Sequence, residues 1–280
     1  MEHIKQAIDR AKESRAALMP AQQQPESTGQ QQSRAPQAPA NAFALNAAHL
    51  ESKRIIAHDI ADPRSRSFDM LRTQVLQSMD MKSWQTIGVT SPTAGCGKSV
   101  ISINLALSIA RQQERAVLLV DLDLQKPRVA EYLGLNCKQG MMSVLEGKTK
   151  LSNALIPVRV RNERLVVLPC EEAIFNSSEW MSSRSMTTIM QDIKRDFKAW
   201  TVIVDLPPIL PSDDAILILP QMDCALFVVQ AGTTTASEIK ECNKHLETTP
   251  VVRVVLNKAS DATAKYYYAG YGDKNRPRAK

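Results

Sequence analysis

The stretch Ser91-Pro-Thr-Ala-Gly-Cys-Gly-Lys-Ser99 constrains this chain more than any other, because of what flanks it. The apolar run Thr86-Ile-Gly-Val-Thr90 precedes it and Val100-Ile-Ser-Ile-Asn-Leu-Ala-Leu-Ser-Ile-Ala110 follows, so the segment reads as strand, tight loop, helix. Gly95 and Gly97 let the backbone bend closely round an anion, and successive N–H groups at the helix N-terminus point at it. The expected cradle comprises Ala94, Gly95, Cys96, Gly97, Lys98, Ser99 and Val100. Lys98 can reach the outer phosphates of a nucleotide, and the Ser99 hydroxyl can hold the accompanying Mg²⁺. Pro92 stands at the first glycine of G-x-x-x-x-G-K-[ST], so the match is incomplete. The alternative is an ordinary Gly-rich turn, and acidic strand ends downstream weigh against it.

From residue 85 onward, strand-like runs alternate with helical patterns: Ala116–Val120, Leu165–Leu168, Thr201–Val204, Ala225–Val229 and Val251–Leu256. That alternation predicts an α/β fold, a mainly parallel sheet with helices on both faces. Ligands of such sheets bind at the carboxyl ends of strands. Here those ends converge: one run closes in Asp121 and Asp123, another in Asp205, a third in Asn257. A single strand-end aspartate is commonly a cap. Three beside a phosphate loop imply a cation, held directly or through water. Lys126 and Arg128 follow in the turn Gln125-Lys-Pro-Arg128, where they either steady transferred charge or cap the next helix.

With 44% apolar residues, the 280-residue chain can bury one sizeable core in one or two domains. Residues 1–18 have the period of a short amphipathic helix, 19–50 read as a disordered Gln/Pro-rich linker, 51–257 as the globular domain and 258–280 as a flexible basic tail. No apolar run approaches a membrane span and the N-terminus lacks the apolar stretch of a secretion signal, which predicts a cytoplasmic location. Five cysteines without C-x-x-C or His-paired spacing point to neither zinc nor a disulfide framework. Cys96 is either a small residue the loop tolerates or a thiol activated by helix N–H groups. Of the net charge of +6, residues 258–280 contribute +4, through Lys258, Lys265, Lys274, Arg276, Arg278 and Lys280 against Asp261 and Asp273. The body is thus not expected to bind nucleic acid. The pattern over Ser67–Met79 predicts a helix, with Arg66, Asp69 and Arg72 forming a stripe that is either an interface or a solvated face.

Four features together resemble the bacterial tyrosine autokinases of capsule and exopolysaccharide synthesis, a deviant P-loop ATPase group related to the Min and Par ATPases. They are the loop Ala94–Ser99; Leu118-Leu-Val-Asp-Leu-Asp-Leu-Gln-Lys-Pro-Arg128; Val202-Ile-Val-Asp-Leu-Pro-Pro-Ile-Leu-Pro-Ser-Asp-Asp-Ala215; and Tyr266-Tyr-Tyr-Ala-Gly-Tyr271. The resemblance implies a P-loop NTPase fold and an ATP- and Mg²⁺-dependent protein-tyrosine kinase. Lys98, Asp121, Asp123 and Asp205 would be catalytic, Asp121 as the base that receives the tyrosine proton. Ser99, Asp123 and Asp205 would serve the metal, and Tyr266, Tyr267, Tyr268 and Tyr271 would accept phosphate. It also implies a homo-oligomer and an activating polysaccharide co-polymerase that holds the kinase at the inner membrane. Where the family carries Glu-x-x-Arg-x-x-Arg for ring assembly, this chain has Arg66, Asp69 and Arg72, with two of three charges inverted.

The competing reading is a partition-type switch ATPase that dimerises on ATP without phosphorylating tyrosine, but Thr93 stands where its signature lysine would be. A third, tyrosines stacking on single-stranded nucleic acid, needs a basic groove that the body lacks. Asn257-Lys258 is followed by Ser260 where a guanine reader needs aspartate, so Asn257 is expected to meet an adenine amino group. Phosphate on all four tail tyrosines would add roughly −6 to −8 and invert the tail's sign, which predicts its release from an acidic site.

Overall fold

The computed structural model describes residues 42–112, 114–159 and 165–259. The helix expected over 1–18, most of the linker, and the tail with Tyr266, Tyr267, Tyr268 and Tyr271 lie outside the described residues. Eight strands form one sheet: β1 (Phe43–Ala44), β2 (Thr86–Thr90), β3 (Val117–Asp121), β4 (Ile156–Arg159), β5 (Leu165–Leu168), β6 (Thr201–Asp205), β7 (Cys224–Gln230) and β8 (Val251–Asn257). Their order is β1-β4-β5-β3-β6-β2-β7-β8. The six strands from β5 to β8 run parallel, while β4 is antiparallel to β5 and β1 follows β4. All six strands expected from the sequence are present.

The described helices are α1 (Ala47–Ser52), α2 (Arg66–Lys82), α3 (Lys98–Ala110), α4 (Val129–Leu133), α5 (Met141–Leu145), α6 (Leu151–Ala154), α7 (Ser177–Met181), α8 (Arg184–Asp196), α9 (Asp214–Ile218) and α10 (Ala236–His245). Strands β2, β3 and β6 are buried along their whole length, so they read as unbroken apolar runs rather than alternations. Successive residues nonetheless feed two separate cores. Ile87, Val89, Val117, Leu119 and Ile203 pack on one face with α2 and α3, while Leu118, Val120, Val202, Val204 and Phe227 pack on the other with α5, α8 and α9. Helix α3, which begins at the phosphate loop, is buried from Ile101 to Ala110 and fixes that loop to the core.

Two departures from the sequence reading have physical causes. Residues before 51 also take part in the fold: Phe43 and Ala44 pair with Val158 and Arg159, and Leu50 of α1 is buried. Strand β1 has two residues and β4 contains Pro157, which cannot donate to a ladder, so neither carries a strand signature of its own. The helix expected over Ser67–Met79 is α2, and part of its charged stripe is engaged within the protomer. Arg66 is exposed. Asp69 turns toward α3, where its Oδ1 accepts from Arg72 Nη1 (3.0 Å), Ser108 Oγ (2.8 Å) and Arg111. Arg72 also donates to the Ser108 carbonyl at 3.0 Å. The charges bind one helix to the next within a single protomer.

Candidate active site

The phosphate loop has the backbone that its glycines predict. Gly95 and Gly97 lie at φ 84° and 97°, in the left-handed region that disfavours side chains. A Cβ on Gly97 would also lie 2.2 Å from Asn257 Nδ2, so any other residue would displace the Asn257 side chain. Gly97 is the N-cap of α3 and supplies no side-chain cap, which leaves the first N–H groups of the helix for an anion. Asn257, expected at the adenine, stands beside this loop: its Nδ2 donates to the Cys96 carbonyl (2.8 Å) and its Oδ1 accepts from Lys258 N (2.9 Å). Lys258 Nζ donates to the Gly95 carbonyl at 2.8 Å. The end of β8 therefore clasps the loop. Cys96 is buried with its thiol beside Thr93 and Thr234, which favours the small-residue reading over a reactive thiol.

The acidic strand ends converge as expected, yet they occupy different depths. Asp121 and Asp205 are register partners across β3 and β6, and both are fully buried. Asp121 accepts from the backbone N–H groups of Asp123 (3.2 Å), Arg128 (3.1 Å) and Val129 (3.0 Å), so it shapes the turn and caps α4. It has no face on the cavity. Both oxygens of Asp121, the residue expected to receive the tyrosine proton, accept from backbone donors. Asp123, in contrast, lines the cavity opposite Lys98, with Nζ 3.4 Å from Oδ2. Asp205 accepts from Ser102 Oγ at 2.9 Å through Oδ1, while its Oδ2 is buried without a hydrogen-bond partner.

A buried carboxylate oxygen lacking a donor, beside the hydroxyl of Ser99, fits a divalent cation: hard oxygen donors from one hydroxyl and one carboxylate leave the remaining positions to phosphate and water. Burial raises Asp205 to about 6, against the lowering influence of Lys98, Ser99 and Ser102. Burial, and then the charge of Asp205, also push Asp121 well above the ordinary carboxylate range. A raised folded-state pKa means stability that is complete below the unfolded value near 3.8 and lost as pH rises through about 6. Without nucleotide, the native chain should therefore lose more melting temperature than Asp205→Asn between pH 5 and 7.5, and Mg²⁺ with ADP should restore it chiefly at the higher pH. Parallel pH profiles for the two proteins in scanning fluorimetry would sink this reading.

The cavity measures about 590 Å³ and is lined by Gly95, Gly97, Lys98, Ser99 and Asp123 on its floor. Sequence reasoning missed part of its wall. Lys53 and Arg54 follow α1, and they reach the site because Asn104 of α3 accepts from the N–H groups of Ile56 and Ala57, both at 2.8 Å. Arg128 pairs with Glu131, and Lys53 with the same carboxylate at 2.6 Å. Of the two roles left open for Lys126 and Arg128, capping falls to Asp121 instead. Gln125 is held by Asp214, which also accepts from Ser177 and Ser178, so the motif at 213–215 braces the acidic turn.

Residues 87–278 match the CobQ/CobB/MinD/ParA nucleotide-binding domain. The tyrosine-protein kinase YwqD of Bacillus subtilis is 30% identical over 213 residues, covering 75% of this chain and 87% of the relative. The putative tyrosine-protein kinase EpsB of Ralstonia nicotianae is 29% identical over 249 residues, covering 82% of this chain. The chain spans about a third of that relative's length, 32%. Among solved structures, the kinase domain of the Escherichia coli tyrosine kinase ETK superposes with a TM-score of 0.65 at 25% identity, covering 72% of this chain and 79% of that one.

Proposed function

Because this chain belongs to the bacterial tyrosine-kinase branch of the CobQ/CobB/MinD/ParA nucleotide-binding family, we propose that it is an ATP- and Mg²⁺-dependent protein-tyrosine autokinase that regulates exopolysaccharide or capsule polymerisation and export. The observation that carries this reading is the opposition of Lys98 and Asp123 on the cavity floor, with Ser99 and the unpartnered Asp205 Oδ2 behind them. Phosphoryl transfer asks a protein mainly for positioning and charge compensation, and this floor supplies both.

In this reading Ser99 and Asp205 would hold the Mg²⁺, which when bound would supply neutralising charge to the phosphates. Lys98 and the N–H groups of the loop orient the γ-phosphoryl group. A tyrosine oxygen bonds to the γ-phosphorus as the bond to the bridging oxygen breaks; ADP leaves, and Asp123, the carboxylate with access to the cavity, takes the phenolic proton. The acceptors proposed are Tyr266, Tyr267, Tyr268 and Tyr271, which follow Asn257 by nine to fourteen residues. At about 3.3 Å per extended residue that length reaches the protomer's own site or a neighbour's, which suits exchange within a homo-oligomer. No helix of the described residues is long and apolar enough to cross a membrane. Membrane placement is accordingly assigned to a partner, an inner-membrane polysaccharide co-polymerase.

The test is mass spectrometry after incubation with Mg²⁺ and ATP. Phosphate is expected on the tail tyrosines; replacing all four with Phe should keep nucleotide binding and remove the signal. In the same assay Asp123→Asn should slow transfer by about 10²–10⁴-fold at saturating nucleotide. Undiminished phosphate elsewhere in the four-Phe protein, on Tyr132 for instance, refutes the tail assignment, and full activity of Asp123→Asn refutes the base.

A further inference from the structure

The mouth of the cavity is more basic than its floor, where Lys98 faces Asp123. Lys53, Arg54, Lys126 and Arg128 line it with a single rim carboxylate, Glu131. Glu131 is already engaged by both Lys53 and Arg128, and Asp123 by Lys98. Among the described residues, Arg54 and Lys126 have no ion-pair partner. The rim thus offers cations that no carboxylate of the described residues neutralises.

Arg54 is held there by unusual backbone. It lies at φ 62°, and it follows α1 in the position where helices commonly end on glycine: Ile55 N donates to the Leu50 carbonyl and Arg54 N to that of Glu51, both at 2.9 Å. Asn104 Nδ2 donates to the Arg54 carbonyl at 3.1 Å, so the turn is pinned to the helix that begins at the phosphate loop. Beside it stands the half-buried ring of Tyr132, with Lys53 Nζ 5.6 Å from its centroid. Cations next to an aromatic face suit a ring that carries an anionic group.

The tail carries +4 before modification, the same sign as this rim. Each phosphate brings about −1.5 to −2, so modification turns repulsion into attraction. We propose that the rim is a phosphotyrosine subsite: a tyrosine already phosphorylated on the tail of a second copy docks on Arg54 and Lys126, leaving a neighbouring tyrosine free to enter toward Asp123. The adjacency of Tyr266, Tyr267 and Tyr268 supplies such neighbours. The expected consequence is that a first phosphate speeds the next and retains the tail at the mouth, in place of the release expected from an acidic site. The proposal rests on the kinase reading for its biological meaning, although the binding itself does not.

The test uses the full chain after phosphatase treatment, saturated with Mg²⁺ and ADP, and two labelled synthetic peptides of residues 262–274, with Tyr267 unmodified or phosphorylated. Fluorescence anisotropy should show the phosphopeptide binding roughly tenfold more tightly. Arg54→Gly removes the cation while supplying the residue favoured at positive φ, so its melting temperature should hold or rise as the preference falls below about threefold. Lys126→Gln should lower the preference too. Equal affinity of the two peptides, a preference that survives both variants, or a preference that vanishes once ADP fills the phosphate loop would each overturn the subsite. Failure of the kinase reading would appear separately, as absence of phosphate transfer from ATP with the peptide preference intact.

Discussion

Lys98→Met is expected to lower phosphate transfer to tyrosine by at least about 10²–10³-fold, the loss typical of removing one donor preorganised toward developing charge. Lys98 opens α3, is buried, and approaches Asp123 within 3.4 Å. Methionine preserves much of the stem but removes the only lysine on the cavity floor among the described residues. The variant also leaves Asp123 without its cation in a site of low exposure. The combined result is weaker nucleotide binding, negligible transfer even at saturating nucleotide, and a melting temperature a few degrees lower. Circular dichroism separates this from unfolding, because α3 remains anchored by Ile103, Leu105, Leu107 and Ile109. Transfer within tenfold of the native rate, measured with radiolabelled ATP, would remove Lys98 from the mechanism.

The second large effect concerns stability. Asp69→Arg is expected to destabilise the protomer by about 3–5 kcal/mol, the range seen when one partner of a buried ion pair is lost. Asp69 is the carboxylate shared by Arg72 and Arg111, whose side chains are only 17% and 10% exposed. Burial already lowers the Arg72 pKa, and Arg72 Nε with Arg111 Nε and Nη1 are buried without hydrogen-bond partners. A third guanidinium would face these two with no anion between them. At about 2–4 °C per kcal/mol for a domain of this size, melting should fall by roughly 6–20 °C. Asp69→Asn, which keeps an acceptor, should cost much less. An unchanged melting temperature with an altered mass in light scattering would instead make the stripe an assembly surface, as one of the two sequence readings allowed.

Much of the site was legible because its parts are local in the chain. A loop between strand and helix needs Gly95 and Gly97 at positive φ, and a phosphate needs Lys98 and Ser99 next to it; both requirements act over a few residues. The parallel sheet was legible for a related reason: strands covered on both faces must be apolar throughout, as β2, β3 and β6 are. Topology then delivers Asp121, Asp123 and Asp205 to one edge without further information. Strands β1 and β4 left no trace, since a two-residue strand and one interrupted by Pro157 exist only through pairing with distant partners.

What the chain alone determined, then, was which chemistry gathers at the sheet edge; tertiary structure decided which atom does what there. Asp121 and Asp123 are two residues apart and chemically alike, yet backbone donors consume the first while the second faces the cavity. Asn257, expected from the sequence to meet a base, donates to the Cys96 carbonyl in this structure. Lys53 and Arg54 join the site through Asn104, some fifty residues away, a link no spacing rule records. The physical reason is common to these cases. Periodicity and motif spacing report forces between neighbours in sequence, whereas depth, charge pairing and the direction of a hydrogen bond depend on side chains that meet only after the sheet has closed.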